Sequence, residues 1–213
     1  MPPIVTNVWY RLMQSFCQLG AVVCFRVRCR GSAVVPETGA TILLCNHQSH
    51  LDPILVGAAC HRRMHFMARS SLFKFAPLGW LIGSLGAIAI DRDGSGLSGL
   101  KETLRALKHD ELVMIFPEGT RSPNGELQPL KSGFCTLAKR TRTRLVPMAL
   151  DGAFDAWPRW RKYPLPGRVC IEFGAAISSE EIAQLSEAEL LAEVERRIRA
   201  CYKLARARRL ARR

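Results

Sequence analysis

Six short apolar runs do most to limit what this chain can fold into. They are Ala40 to Cys45, Met64 to Ala68, Gly86 to Ile90, Glu111 to Phe116, Arg144 to Leu150 and Arg168 to Phe173. Each is long enough for a strand and too short for a buried helix, and Gly or Pro bounds several of them. Helical patterns lie between them: Ile54 to Ala59, a region over Leu72 to Leu85 broken by Pro77, Gly79 and Gly83, a leucine stripe at 97, 100, 104 and 107, and Gly133 to Lys139. Near-continuous apolar strands alternating with helices imply a largely parallel sheet covered on both faces. The expected fold is therefore α/β, a single domain with a central sheet flanked by helices. No repeat and no long linker divides the 213 residues. Only the first 30 stand apart by pattern, so the expected division is 1–30 and 31–213.

In residues 1–30, Val5, Trp9, Leu12, Phe16, Leu19 and Val23 recur at steps of three and four, opposite Asn7, Arg11, Gln14 and Gln18. This is an amphipathic helix. It is too short and too interrupted to span a bilayer, and it lacks the parts of a signal peptide. Two readings are open: a helix packed on the domain, or one lying in a membrane interface with Trp9 and Tyr10 at headgroup level. In the second, Arg26, Arg28 and Arg30 face acidic headgroups. The formal net charge of +13 calls for an anionic partner. Nucleic acid fits poorly, since no helix-turn-helix, zinc finger or RNA-binding strand pattern is present. An anionic membrane surface fits better.

Eight cysteines occur, none as C-x-x-C, and most sit in apolar runs. They read as free thiols in a reducing compartment. No metal site is expected: His61 and His65 are four apart without a partnering motif. At the other end of the chain, Ser186 to Glu189 reads as a capping box. It opens a helix with an apolar stripe at Leu190, Val194, Ile198, Cys201 and Ala205, and with a basic tail. The tail is expected to be solvated or to touch anionic lipid.

The chemistry-bearing residues follow strands. Asn46-His47-Gln48-Ser49-His50-Leu51-Asp52-Pro53 joins the first apolar run to a helix, with Ser49 and Asp52 in capping-box spacing. His47 with a carboxylate five residues on suits general-base work, the carboxylate fixing the tautomer and stabilising the protonated ring. Arg92 follows the third run and Pro117-Glu118-Gly119-Thr120-Arg121-Ser122 the fourth. In a parallel sheet these ends share one edge. A base and two arginines there suggest a phosphorylated substrate whose hydroxyl loses a proton. No G-x-S-x-G elbow or P-loop is present.

These blocks together resemble the 1-acyl-glycerol-3-phosphate acyltransferase family. Asn46-His47 to Asp52-Pro53 resembles its N-H-x-x-x-x-D-P block. Leu72-Phe73-Lys74, Pro77, Gly79 and Gly86 to Arg92 resemble its second block, and Phe116 to Ser122 its third. Val146-Pro147-Met148-Ala149-Leu150 resembles its fourth, and Lys131-Ser132-Gly133 the lysine–glycine pair that follows the third. The likeness spans about residues 40 to 150. One departure is Arg69, where many members carry lysine; that change in geometry bears on acceptor or donor preference.

The resemblance implies that residues 31–213 are a glycerolipid acyltransferase domain making phosphatidic acid. His47 and Asp52 would be catalytic. Arg92, Glu118, Gly119, Thr120, Arg121, Ser122 and Lys131 would bind the lysophospholipid acceptor. Backbone N–H groups around Gly119 would meet the oxyanion. Segments around Phe73, Phe75, Trp80 and Leu81 would line an acyl groove or belong to the core. The donor would be acyl-CoA or acyl carrier protein, with no cofactor, at the cytoplasmic face of the inner membrane. Alternatives are acylation of lyso-ornithine lipid or lysophosphatidylethanolamine, and a non-catalytic lipid-binding protein.

Overall fold

In the computed structural model, which describes residues 3–90 and 97–211, the strands form one seven-stranded sheet. The chain opens with α1 (Pro3–Phe25) and a short strand, β1 (Arg28–Arg30). Next come β2 (Thr41–Cys45), α2 (Asp52–Ala59), β3 (Met64–Arg69), α3 (Ala76–Ser84), β4 (Ala87–Ile90), α4 (Leu97–Lys108) and β5 (Leu112–Ile115). Then follow α5 (Gly133–Thr141), β6 (Arg144–Asp151), α6 (Ala153–Ala156), β7 (Cys170–Phe173), α7 (Ser179–Gln184) and α8 (Glu187–Leu210). The order across the sheet is β1-β7-β6-β2-β5-β3-β4. All pairs are parallel except β6 with β7.

Both faces of the sheet are covered. Ile42 and Leu44 of β2 pack with Leu145, Ala149 and the α8 stripe of Leu190, Val194 and Ile198. Leu43 and Cys45 face the other way, against Val146, Met148 and Leu55 and Val56 of α2. Strand residues alternate faces, so a run apolar at every position is what two covered faces require. Each such Leu stabilises the fold by about 1.5–3 kcal/mol relative to exposure. The eight cysteines are free thiols, five of them buried. α8 starts at the expected capping box: Ser186 Oγ accepts the Glu189 N–H (3.2 Å) and Glu189 accepts the Ser186 N–H (2.8 Å). α7 opens on a second capping box, Ser178 with Glu181, which the sequence reading did not pick out.

α1 docks through the face that carries Tyr10, Gln14, Cys17 and Ala21, with Tyr10 and Ala21 buried. Gln14 Nε2 donates to the carbonyls of Gly57 (2.8 Å) and Cys60 (2.6 Å), and Gln18 Nε2 to that of Ala58 (2.9 Å). These carbonyls lie at the C-terminal end of α2, where helix carbonyls lack intrahelical partners. The apolar stripe therefore faces outward, with Leu12 58% and Phe16 73% exposed and Val8, Leu19, Val22 and Val23 beside them. Among the described residues no helix is long and apolar enough to cross a membrane.

Several expectations are corrected. β1 is a strand the sequence reading missed; Arg28 and Arg30 sit on it, paired to β7. Phe75 and Trp80 are exposed and so are not core. A small apolar cavity lies elsewhere, lined by Tyr10, Met13 and Cys17 of α1, Pro53 and Ile54 of α2, and Phe66 of β3, among others. The described part of the basic tail is not simply solvated: Arg206 pairs with Glu126, Arg208 with Glu172, and Arg209 with Asp151 and Asp155.

Candidate active site

β2 and β5 are neighbours, with Leu44 opposite Ile115. The segments leaving them, 46–52 and 116–122, consequently meet at the carboxyl edge of the sheet. Asn46 fixes the exit from β2. Its amide donates to the Leu150 carbonyl (3.0 Å) and accepts the Leu150 N–H (2.9 Å), extending the β2–β6 ladder through a side chain. His47 Nδ1 then lies 2.7 Å from Asp52 Oδ2. The same oxygen accepts the N–H groups of Gln48 (2.6 Å) and Ser49 (2.7 Å). Asp52 is fully buried at the start of α2, where the helix dipole favours negative charge.

Asp52 thus faces back into the turn, and the expected capping box is absent. Leu51 is the N-cap and no side chain caps the helix. Ser49 Oγ instead donates to the Trp157 carbonyl (2.7 Å). Pro53 occupies the first turn as expected.

The segment after β5 grips His47 from three sides. The Phe116 ring stacks on the imidazole, centroids 3.9 Å apart and planes 11° apart. Glu118 Oε1 accepts the His47 N–H (3.0 Å), and the Ser122 N–H donates to the His47 carbonyl (2.7 Å). Burial pushes the Glu118 carboxyl up to about 7, despite the hydrogen bonds from His47 and Gln128 that pull it down; nearby Asp52 adds to the rise. Its Oε2, like Asp52 Oδ1, is buried with no hydrogen-bond partner among the described residues. Charging it is correspondingly costly.

Of the residues expected to bind acceptor, Glu118 and Ser122 turn inward; the Ser122 hydroxyl bonds the Glu126 carbonyl (2.7 Å) and Asn124 (3.0 Å). Gly119, Thr120 and Lys131 are exposed at the rim. Gly119 adopts φ 73°, a left-handed conformation that favours glycine, and Lys131 lies over it, its Nζ 3.0 Å from where a Cβ would sit. Its N–H, one of the expected oxyanion donors, is spent on the Phe116 carbonyl (3.0 Å). Arg121 bonds His50 Nε2, which fits a neutral His50, whose basicity is lowered first by burial and then by Arg121. Arg92 lies outside the described residues.

Three further positions escaped the sequence reading. Gln48 Nε2 holds the Gly125 carbonyl (2.5 Å), Tyr202 OH donates to the same carbonyl (3.0 Å), and Arg209 ties α8 to Asp151. Gln48 sits inside the first block, next to His47. Tyr202 had only its place beside the α8 stripe to mark it.

His47 Nε2 has no hydrogen-bond partner among the described residues and the side chain is 13% exposed. A ring oriented through Nδ1 with its other nitrogen available is the arrangement a general base needs, here at the carboxyl edge of an α/β sheet. Comparison with known proteins gives the class. The chain belongs to the acyltransferase family, whose model, described as Acyltransferase, matches residues 26–151. The 1-acyl-sn-glycerol-3-phosphate acyltransferase of Bacillus subtilis (strain 168) is 30% identical over 159 residues, 74% of this chain and 77% of that protein. The alpha form from Mus musculus is also 30% identical, over 73% of this chain and 56% of that protein. The crystal structure of the 1-acyl-sn-glycerophosphate (LPA) acyltransferase PlsC from Thermotoga maritima superposes with TM-score 0.83 at 25% identity, over 96% of this chain and 83% of that one.

Proposed function

We propose that this acyltransferase moves a fatty acyl group from acyl-CoA or acyl carrier protein to the free sn-2 hydroxyl of 1-acyl-glycerol 3-phosphate, giving phosphatidic acid. The observation that carries the reading is the His47–Asp52 pair at 2.7 Å, in a chain whose relatives are named for this reaction. His47 Nε2 takes the hydroxyl proton as the oxygen attacks the thioester carbonyl. Asp52 stabilises the imidazolium. Collapse of the tetrahedral intermediate forms the ester and expels the thiolate, which takes the proton from His47. No cysteine enters these steps.

Arg121, and Arg92 with it, would grip the acceptor phosphate as planar forks, with Lys131 as a point charge. The apolar cavity between α1 and α2 suits an acyl chain, because Pro53 and Ile54, which line it, follow directly on Asp52. The outward stripe of α1 would lie in the membrane interface at the cytoplasmic face, an arrangement supported by its exposed Leu12, Phe16 and Leu19.

The test is thiol release by purified protein in detergent, over a panel of lysolipid acceptors and both donor types. Preference for lyso-ornithine lipid or lysophosphatidylethanolamine would overturn the acceptor assignment. Absence of release with every pair would overturn the reaction.

A further inference from the structure

A second concentration of positive charge lies away from the catalytic turn. Arg26, Arg28, Arg168 and Arg208 line an open cleft, with Cys170 and Arg209. Four parts of the chain supply them: the end of α1, β1, the segment before β7, and α8. Backbone pairing assembles it. Arg28 lies opposite Cys170 in register, and its N–H donates to the Val169 carbonyl (3.0 Å). The N–H groups of Gly167 and Val169 donate to the carbonyls of Cys24 (3.1 Å) and Phe25 (3.0 Å), tying this segment to the end of α1.

Two of the five arginines are committed, Arg208 to Glu172 and Arg209 to Asp151 and Asp155. Arg26, Arg28 and Arg168 form no ion pair among the described residues. Arg26 also stands where the backbone prefers glycine. It closes α1 in a Schellman turn, with Arg26 N–H to Val22 O and Val27 N–H to Ala21 O both 3.1 Å, at φ 42°. The helix dipole accounts for a cation at Arg26. It does not account for Arg28 and Arg168 converging on the same cleft.

We propose that this cleft holds the phosphate of an anionic phospholipid headgroup. The proposal rests on the reading that the outward face of α1 meets a bilayer. The cleft begins about one turn beyond Val22 and Val23, the last apolar residues of that face. A lipid with chains along the stripe would present its phosphate at the level of Arg26. Uncompensated guanidinium forks match phosphate oxygens. A soluble phosphate compound would have no use for the adjoining exposed apolar helix.

The test is co-sedimentation of the full chain with vesicles of phosphatidylcholine alone, or of phosphatidylcholine with phosphatidylglycerol, at low salt. Arg28→Gln with Arg168→Gln is expected to weaken binding to the phosphatidylglycerol vesicles about 30-fold and leave binding to neutral vesicles unchanged. Acyl transfer to detergent-dispersed lysolipid should also be unchanged. Arg28→Lys with Arg168→Lys keeps the charge and should stay within about threefold of wild type. Wild-type binding by the glutamine pair would overturn the site, as would a loss by the lysine pair as large as that of the glutamine pair. So would a rise in KM for acyl-CoA with vesicle binding intact, which would make the cleft a donor site. Leu12→Glu with Phe16→Glu tests the underlying reading separately. If that variant binds both vesicle types normally while the glutamine pair fails on the anionic ones, the α1 reading falls and the cleft stands.

Discussion

Glu118 accepts the backbone N–H of His47 at 3.0 Å across 71 positions of sequence. The loop after β5 therefore holds the main chain of the proposed base, while Asp52 holds its ring. This division of labour sets the expected behaviour of variants at each position.

His47→Ala removes the group proposed to take the hydroxyl proton. Turnover should fall by about 10²–10⁴, and more if acceptor alignment also suffers. The check is thiol release under saturating donor, with circular dichroism to verify the fold. Wild-type turnover on every acceptor would refute the assigned role.

Glu118→Gln keeps an oxygen to accept the His47 N–H and removes the charge. In the wild type, burial raises this carboxyl from its ordinary 4.5 to about 7. Between these values the folded state binds a proton that the unfolded state has released. This group's contribution to stability therefore falls as pH rises through that window, at up to about 1.4 kcal/mol per unit, and levels off above it. Urea melts from pH 4 to 8 should show Glu118→Gln losing that downward component. An unchanged difference between variant and wild type across the window would count against it.

Arg121→Ala should act mainly on acceptor binding. KM for the lysolipid is expected to rise about tenfold, as loss of a charge-assisted hydrogen bond would give, with kcat much less affected. Steady-state kinetics with acceptor varied will separate the two. A fall in kcat alone would move Arg121 from binding to chemistry.

Arg209→Ala leaves the buried Asp151 without its ion pair and should destabilise the fold by roughly 1–3 kcal/mol. Tyr202→Phe loses the hydroxyl that donates to the Gly125 carbonyl and accepts from the partly exposed Arg206 guanidinium (3.1 Å), and should cost about 1 kcal/mol. Chemical denaturation ranks them. Losses near zero in both would mean α8 is held by its apolar stripe and not by these ties.

The alternation of strands and helices was legible because periodicity and burial are written locally. β2 reads as a two-sided strand from five consecutive residues. β1 was not legible, since Arg28-Cys29-Arg30 has no strand pattern of its own and pairs only because β7 offers an edge. The glutamine anchors of α1 were hidden for a similar reason: Gln14 and Gln18 look like a solvent face until α2 presents its free carbonyls.

What the chain determined by itself is the His47–Asp52 contact: the two lie five residues apart in one tight turn, and local geometry suffices to join them. The tertiary structure alone decided that Phe116, Glu118 and Ser122 clasp that turn, that α8 reaches back to Gly125 and Asp151, and which side of α1 faces out. Those contacts join segments tens of residues apart. They depend on which strands become neighbours, and that is settled by how the whole sheet buries its two faces.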